Sequence, residues 1–166
     1  MTSISTDAAE QLQERLLALA ERAELTQLCD RYVLHLDRDR DSDDWLTSVF
    51  TADAHLTFPF GEYRGLAGLA EFQQMARSNV DRTHHIASTY DIELDGDTAR
   101  VRVHLTAVHV LHREDPGTHF AIGGHYEATA IRTAEGWRFS RLVFDLVWNA
   151  GQPPGGGGKP DAERPA

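Results

Sequence analysis

The sequence predicts an α+β fold, with helices in the first half of the chain and long antiparallel strands in the second. Between Leu12 and Leu36, apolar residues recur mostly every three or four positions, which is typical of helices. From Thr83 onward, apolar and polar residues alternate, as they do in β-strands. Two tight turns, Asp95-Gly96-Asp97 and Ala134-Glu135-Gly136, separate the long strand segments and predict a meander of hairpins.

The helical part is predicted to contain one long helix, or two abutting helices, followed by two short ones. The long helix gives way to an almost wholly charged stretch at 38–44, after which Trp45–Phe50 forms a second helix and Leu66–Met75 a third. The apolar stripe expected to bury the long helix consists of Leu12, Leu16, Leu19, Leu25, Leu28, Tyr32 and Leu36.

The strand part begins earlier, with a short strand at Ala54–Phe58 and a turn at Gly61–Gly65. A polar loop at Arg113–Gly117 is expected between two of the long strands. A strongly twisted antiparallel sheet with helices on one face curls into a cone, whose interior is a natural pocket. The four long strands are predicted at His85–Leu94, Thr98–His112, His119–Thr133 and Trp137–Trp148.

The end of the chain differs in composition from the rest. Four of the six prolines and five of the thirteen glycines follow Asn149. Such a composition cannot bury enough apolar surface to fold, so residues 151–166 are predicted to be a disordered tail. The remaining residues, 1–150, are expected to form a single domain.

Composition also limits the classes of function. The net charge of −10 argues against nucleic acid and anionic membrane as partners, because both require clustered positive charge. Lys159, in the tail, is the only lysine, which excludes Schiff-base chemistry from the predicted domain. Cys29 is the only cysteine, so no intramolecular disulfide can form. Neither a signal peptide nor a membrane-spanning segment is recognisable, and a cytoplasmic protein is expected.

Two adjacent histidines, His84 and His85, open the first long strand. An unperturbed imidazole titrates near neutral pH, which makes each a candidate general base. Side chains alternate across a strand, so only one of the two can face the cone. Asp37 is the candidate partner, because it lies at the end of the apolar stripe of the long helix. The helix dipole disfavours a carboxylate at this end of a helix, so its presence there calls for another explanation, such as pairing with a histidine. Asp37 could instead simply begin the solvated acidic run that follows it.

Two further residues are candidates for the pocket. His109 ends an otherwise apolar row on the second long strand, and Arg141 lies in an apolar row of the last strand. Arg141 could bind an anionic group or form a structural ion pair with Asp145. The nine histidines are not spaced as metal ligands, and no phosphate-binding glycine motif is present, so neither a metal nor a cofactor is expected.

Four sequence patterns occur in a fixed order along the chain: Arg31–Asp37 followed by Asp44-Trp45, His85–Thr89 followed by Asp95–Ala99, Ile122–Tyr126, and Gly136–Arg141. Together they resemble the SnoaL-like branch of the nuclear transport factor 2-like superfamily. Within it, the group of scytalone dehydratase and hexachlorocyclohexane dehydrochlorinase is most similar, over about Leu25–Ala150. The resemblance implies a cone-shaped, curved and mainly antiparallel mixed sheet with N-terminal helices on its concave side.

The resemblance also implies residue roles. Asp37 and His85 match the family's catalytic dyad, His109 a second pocket histidine, and Arg141 a basic residue of the dehydrochlorinase. Leu36 and Phe58 stand where the dehydratase has water-positioning tyrosines, which argues against its water chemistry. The charged stretch after Asp37 is longer than the family's usual turn, which leaves Asp39 and Asp41 as rival carboxylates. The other residues expected to bind substrate are Tyr32, Trp45, Phe58 and Asp145.

The expected function is therefore that of a cofactor-independent acid–base enzyme with an Asp–His dyad in an apolar pocket. A lyase of the dehydratase or dehydrohalogenase type, or a polyketide-cyclase-like enzyme, is expected to act on a small apolar substrate, with His109 or Arg141 as donor to the leaving group. The alternative is a non-catalytic module that binds a small ligand or associates with a larger subunit. A homo-oligomer, trimer or dimer, is also expected from the resemblance.

Overall fold

The computed structural model describes residues 6–155 of the 166-residue chain. Within that range the strands form one six-stranded sheet in the order β2-β1-β6-β5-β4-β3. Strands β1 and β6 run parallel and the other neighbours antiparallel, so the predicted α+β fold with a mainly antiparallel mixed sheet is confirmed. The elements are α1 (Thr6–Arg38), α2 (Leu46–Val49), β1 (Phe50–Phe58), β2 (Gly61–Arg64), α3 (Gly65–Ser78), β3 (Arg82–Asp95), β4 (Thr98–His112), β5 (Asp115–Thr133) and β6 (Gly136–Gly151).

The long helix is continuous but is buried over only part of its length. Leu12, Leu16 and Leu19 are 52%, 57% and 63% exposed, and burial begins at Leu25. Residues 6–20, about 22 Å of helix at 1.5 Å per residue, therefore extend past the sheet. The expectation that the whole stripe packs into this domain is wrong for its first half, because the sheet does not reach that far.

The buried half of α1 is held against the sheet by apolar packing and one polar cluster. Trp137, fully buried at the start of β6, donates its indole N–H to Glu21 of α1 at 2.8 Å. Arg132 of β5 lies 4.5 Å from the centre of the Trp137 ring and forms an ion pair with Glu21. These contacts join the middle of α1 to the hairpin of β5 and β6, at the point where the helix begins to pack on the sheet.

The segment predicted as a turn at Gly61–Gly65 is a strand instead. Phe58 pairs with Gly61, so Pro59 and Phe60 form the turn and β2 runs back along β1. Proline favours turn positions, and the turn therefore comes two residues earlier than the glycines indicated. The loop expected at Arg113–Gly117 is also shorter, because β5 already begins at Asp115.

Strand β6 contains two irregularities that bend the sheet. Phe139 and Arg141 pair with consecutive residues of β5, which leaves Ser140 as an extra residue. A second extra residue, Val147, follows in the same way opposite Gly123 and Gly124. An extra residue of this kind increases local twist and reverses which side chains face the core beyond it. The first reversal decides which residues of β6 reach the cavity.

The chain remains packed beyond the last strand. The backbone N–H of Gln152 donates to the carbonyl oxygen of His119 at 3.1 Å, and Pro153 and Pro154 line the cavity described below. The first residues of the predicted tail thus contact the domain, whereas residues 156–166 lie outside the described range. Within residues 6–155 no helix is both long enough and apolar enough to cross a membrane.

Candidate active site

A cavity of about 550 Å³ lies between the inner face of the sheet and helices α1 and α3. This volume is in the range of pockets that enclose small organic ligands. Its apolar wall includes Phe58, Phe60, Phe72, Leu105, Phe120, Ile122, Phe144 and Leu146. Its residues with polar side-chain groups are Tyr32, His35, Asp39, Arg40, Tyr63, Gln73, Arg77, Asn79, Thr83, His85 and His109.

The end of α1 meets the start of β3 through Asp37. The carboxylate oxygen Oδ1 lies 2.6 Å from His85 Nδ1, and Oδ2 accepts the backbone N–H of His85 at 2.9 Å. The Thr83 hydroxyl also donates to Oδ1, at 2.9 Å. A carboxylate can only accept, so Nδ1 carries the proton and Nε2 is left as the basic nitrogen. His85, whose side chain is 9% exposed, lines the cavity, and Asp37, whose side chain is 25% exposed, contacts it without lining the cavity itself.

Asp37 is ionised in this arrangement. Burial raises the pKa of the carboxyl group. The hydrogen bonds from the ring and backbone of His85 and from Thr83 lower the pKa by more than burial raises it, so the net pKa lies below its usual value. An ionised Asp37 fixes the orientation of the imidazole and can stabilise a positive charge on it.

The opening pair of histidines is divided between the two faces of β3. His85 faces the cavity and His84 is exposed, as strand alternation requires. His109, on the neighbouring strand β4, meets His85 edge-on with ring centres 5.7 Å apart.

His109 is neutral near pH 7. Burial, together with repulsion from the neighbouring His85 ring when that ring carries a second proton, lowers the pKa of its imidazole to about 4. Its Nδ1 lies 3.3 Å from the carbonyl oxygen of Phe120, which can only accept, so Nδ1 carries the proton and Nε2 is an acceptor. The expectation that His109 donates to a leaving group is therefore not supported at neutral pH.

The depressed pKa of His109 predicts a loss of stability in acid. An imidazole that resists protonation in the folded state contributes fully above its unfolded pKa of about 6.5, and this contribution is lost as pH falls towards about 4. Between about pH 7 and pH 5, wild type should lose about 2 kcal/mol more unfolding free energy than His109→Phe, measured by urea denaturation. Equal losses in the two proteins would contradict the assignment of a neutral, buried His109.

Arg141 and Asp145 lie outside the cavity. The extra residue at Ser140 turns Arg141 outwards, and Leu142 and Phe144 face inwards in its place. Asp145 is 68% exposed and lies 3.6 Å from His125 on the outer face. The expectation that Arg141 and Asp145 bind substrate is wrong, because it assumed that side chains alternate without interruption along β6.

The remaining predicted residues are at the wall or behind it. Tyr32 and Phe58 line the cavity, whereas the buried Trp45 stacks behind it on His35 with ring centres 5.0 Å apart. Asp39 pairs with the same histidine and does not compete for His85.

The other rival carboxylate, Asp41, is exposed. Within residues 6–155 no three His, Cys, Asp or Glu side chains come together in a way that could hold a metal ion.

Two arginines of the wall were not predicted. Arg77, in the last turn of α3, pairs with both carboxylate oxygens of Asp43, at 2.7 and 3.0 Å. Arg40 follows α1 and donates to the Val80 carbonyl at 2.5 Å and to Thr83 Oγ1 at 3.4 Å. No periodicity in the charged stretch indicates which of its members turns inward.

Comparison with known proteins gives the family. A model of the SnoaL-like domain matches residues 17–143. An uncharacterised protein of Mycobacterium tuberculosis is 30% identical over 142 residues, which cover 80% of this chain and 91% of that protein.

Two solved structures have the same fold. A scytalone dehydratase-like protein from Novosphingobium aromaticivorans is 20% identical with a TM-score of 0.73, covering 86% of this chain and 97% of that one. A hexachlorocyclohexane dehydrochlorinase of type 3 from Novosphingobium barchaimii is 20% identical with a TM-score of 0.71, covering 86% and 95%. The predicted resemblance to the SnoaL-like family is confirmed, and the chain belongs to the SnoaL-like domain family.

Proposed function

We propose that this protein is a cofactor-independent acid–base enzyme, either a lyase or a polyketide-cyclase-like enzyme, that acts on a small, largely apolar substrate. The observation that carries the proposal is the 2.6 Å contact between Asp37 and His85 at the wall of an apolar cavity. Family membership and the dehydratase-like and dehydrochlorinase structures of the same fold support a lyase-type reaction.

In the proposed mechanism, His85 Nε2 removes a proton from carbon or oxygen of the substrate. Asp37 holds the opposite nitrogen, Nδ1, in its protonated form and stabilises the imidazolium that forms. The electron pair released then expels a halide, or a hydroxide that takes the proton back from the His85 imidazolium and departs as water, or it closes a ring. Proton transfer of this kind contributes roughly 10²- to 10⁴-fold to the rate. The apolar side chains of the cavity wall strengthen the electrostatic attraction between Asp37 and the imidazolium.

Neutral His109 orients the reacting group in this mechanism. Its Nε2 can accept a hydrogen bond from a substrate hydroxyl or from a departing water, since Nδ1 is engaged by the Phe120 carbonyl. The mechanism makes no use of Arg141, which lies on the outer face.

A carbon acid of known behaviour tests the proposal without knowledge of the natural substrate. In nitrobenzisoxazole, loss of the ring C–H proton breaks the N–O bond and yields a coloured cyanophenolate. Wild type should catalyse this elimination, and Asp37→Asn should lower kcat/KM about 100-fold, because an amide neither fixes the required tautomer nor stabilises an imidazolium. Unchanged kcat/KM in Asp37→Asn would contradict the role given to the carboxylate.

A non-catalytic ligand-binding module is the second candidate, and the large apolar cavity supports it equally well. Binding and turnover separate the two functions. If the probe binds to wild type but is eliminated no faster than by free imidazole, the binding function is favoured.

We also propose that the chain forms a homo-oligomer. The exposed leucines of α1, Leu12, Leu16 and Leu19, lie along one side of a helix and would be covered by association. The molar mass in solution, measured by light scattering, should be two or three times that of the 18.5 kDa chain.

A further inference from the structure

Arg40 has an unusual position for an arginine. It is partly buried at the wall of the cavity, immediately after α1, and its two terminal nitrogens each make one hydrogen bond. Nη2 donates to the Val80 carbonyl and Nη1 to the Thr83 hydroxyl. These contacts fix the plane of the guanidinium group. Three of its five N–H donors are left for other partners.

The charge of Arg40 is not neutralised by a neighbouring side chain. Burial and the charge of Arg77 lower the pKa of its guanidinium group, and the carboxylates of Asp37, Asp41 and Asp81 partly offset this from a distance, but none of the three forms an ion pair with it. Among the residues that the structure describes, it is the one charged group of the cavity wall without an ion-pair partner. The histidines and the other arginine of the wall are His35, paired with Asp39, Arg77, paired with Asp43, His85, paired with Asp37, and neutral His109.

We infer that Arg40 binds a carboxylate group of the substrate, so that the substrate is a small, largely apolar carboxylic acid. The planar guanidinium fork matches a carboxylate with two parallel hydrogen bonds. A single cation without an ion-pair partner, in a wall that is largely aromatic and aliphatic, suits a ligand with one anionic end. This inference deepens the proposed function, since it concerns the same cavity.

The hydrogen bonds around Thr83 set the position of the anionic end. Arg40 donates to Thr83 Oγ1, which in turn donates to Asp37 Oδ1, the oxygen that also contacts the His85 ring. A carboxylate bound to Arg40 is thereby anchored on the Asp37 side of the cavity, next to the proposed base. Arg40 thus selects the substrate class and orients the substrate for proton removal.

Two probes of equal shape test the inference: cinnamate, which carries a carboxylate, and cinnamamide, which is neutral. Their dissociation constants are measured by isothermal titration calorimetry. Wild type should bind cinnamate at least about 10-fold more tightly than cinnamamide, a difference typical of a charge-assisted hydrogen-bonded pair. Arg40→Gln should abolish this preference by weakening cinnamate binding alone, and Arg40→Lys should retain part of it.

Arg64→Gln is the matched control, because Arg64 is exposed and pairs with Glu62 away from the cavity, and it should keep the full preference. Equal binding of the two probes to wild type overturns the inference. So does a preference that survives in Arg40→Gln, or an equal weakening of both probes, which would mark Arg40 as a residue that only supports the wall.

The same titrations with His85→Ala separate this inference from the proposed function. A preference for cinnamate that persists in that variant supports the role of Arg40 whether or not the dyad catalyses proton transfer. If the dyad proves inactive, Arg40 would then mark a binding module for carboxylic acids. Loss of the preference in His85→Ala, with Arg40 intact, would contradict recognition by Arg40.

Discussion

Replacing His85 with alanine is expected to lower kcat/KM for nitrobenzisoxazole elimination at least about 100-fold, because the variant lacks the only group placed to accept the proton in the proposed mechanism. In wild type the imidazole is 9% exposed and is held by Asp37, so the proton acceptor is a positioned group and not a solvent base. Initial rates of phenolate formation, measured at nitrobenzisoxazole concentrations far below KM, give the ratio of kcat/KM between wild type and variant directly.

His84→Ala is the control for this prediction. His84 is the neighbouring residue on the same strand, but it is exposed on the opposite face, and its loss should change kcat/KM by less than about twofold. Circular dichroism spectra of both variants should match wild type, which shows that the fold is retained. Turnover that survives in His85→Ala, or is lost equally in His84→Ala, would contradict His85 as the base.

The second large effect is expected at Gly124, where β5 lies against the irregular part of β6. A Cβ atom there would stand 2.1 Å from the carbonyl oxygen of Asp145 and 3.0 Å from the Phe144 ring. The backbone oxygen cannot move without breaking the pairing of the two strands. Gly124→Ala should therefore lower the free energy of unfolding by about 3 kcal/mol, measured by urea denaturation.

Gly68→Ala in α3 is the matched substitution. A Cβ there would meet only ordinary contacts at 3.7 Å and beyond, from Tyr63. Alanine is favoured over glycine in a helix by up to about 1 kcal/mol, so this variant should be as stable as wild type or more so. If the two variants lost the same stability, close approach of the strands at Gly124 would not be the cause.

Much of the site could be predicted because two simple periodicities meet there. The apolar stripe of α1 ends at Leu36, which places Asp37 at the last turn of a buried helix. The alternation that begins at Thr83 puts His85 and His84 on opposite faces. Both inferences depend on local pattern alone, and both held because α1 is continuous to Arg38 and β3 is regular at its start.

The rest depends on tertiary structure that leaves no local mark in the sequence. The extra residue at Ser140 reverses which side chains of β6 face the core, and no feature of the neighbouring residues predicts it. Arg141 and Asp145 were misplaced for that reason. Arg40 was missed for a different reason, because its inward position is set by Val80 and Thr83, some forty residues away in sequence.

The exposed first half of α1 has a third cause. A periodic stripe shows that a helix has an apolar face, but the stripe does not say whether the covering surface lies in the same chain. Leu12, Leu16 and Leu19 are exposed because the sheet ends before it reaches them.

The central claim is that Asp37 acts through His85, and the kcat/KM of the double variant Asp37→Asn/His85→Ala tests it most directly. If the carboxylate serves only to orient and stabilise the imidazole, its loss has no further effect once the imidazole is gone. The double variant should then be within about twofold of His85→Ala in nitrobenzisoxazole elimination. A further loss of about 100-fold on adding Asp37→Asn to His85→Ala would show that the two residues act independently and would contradict the dyad.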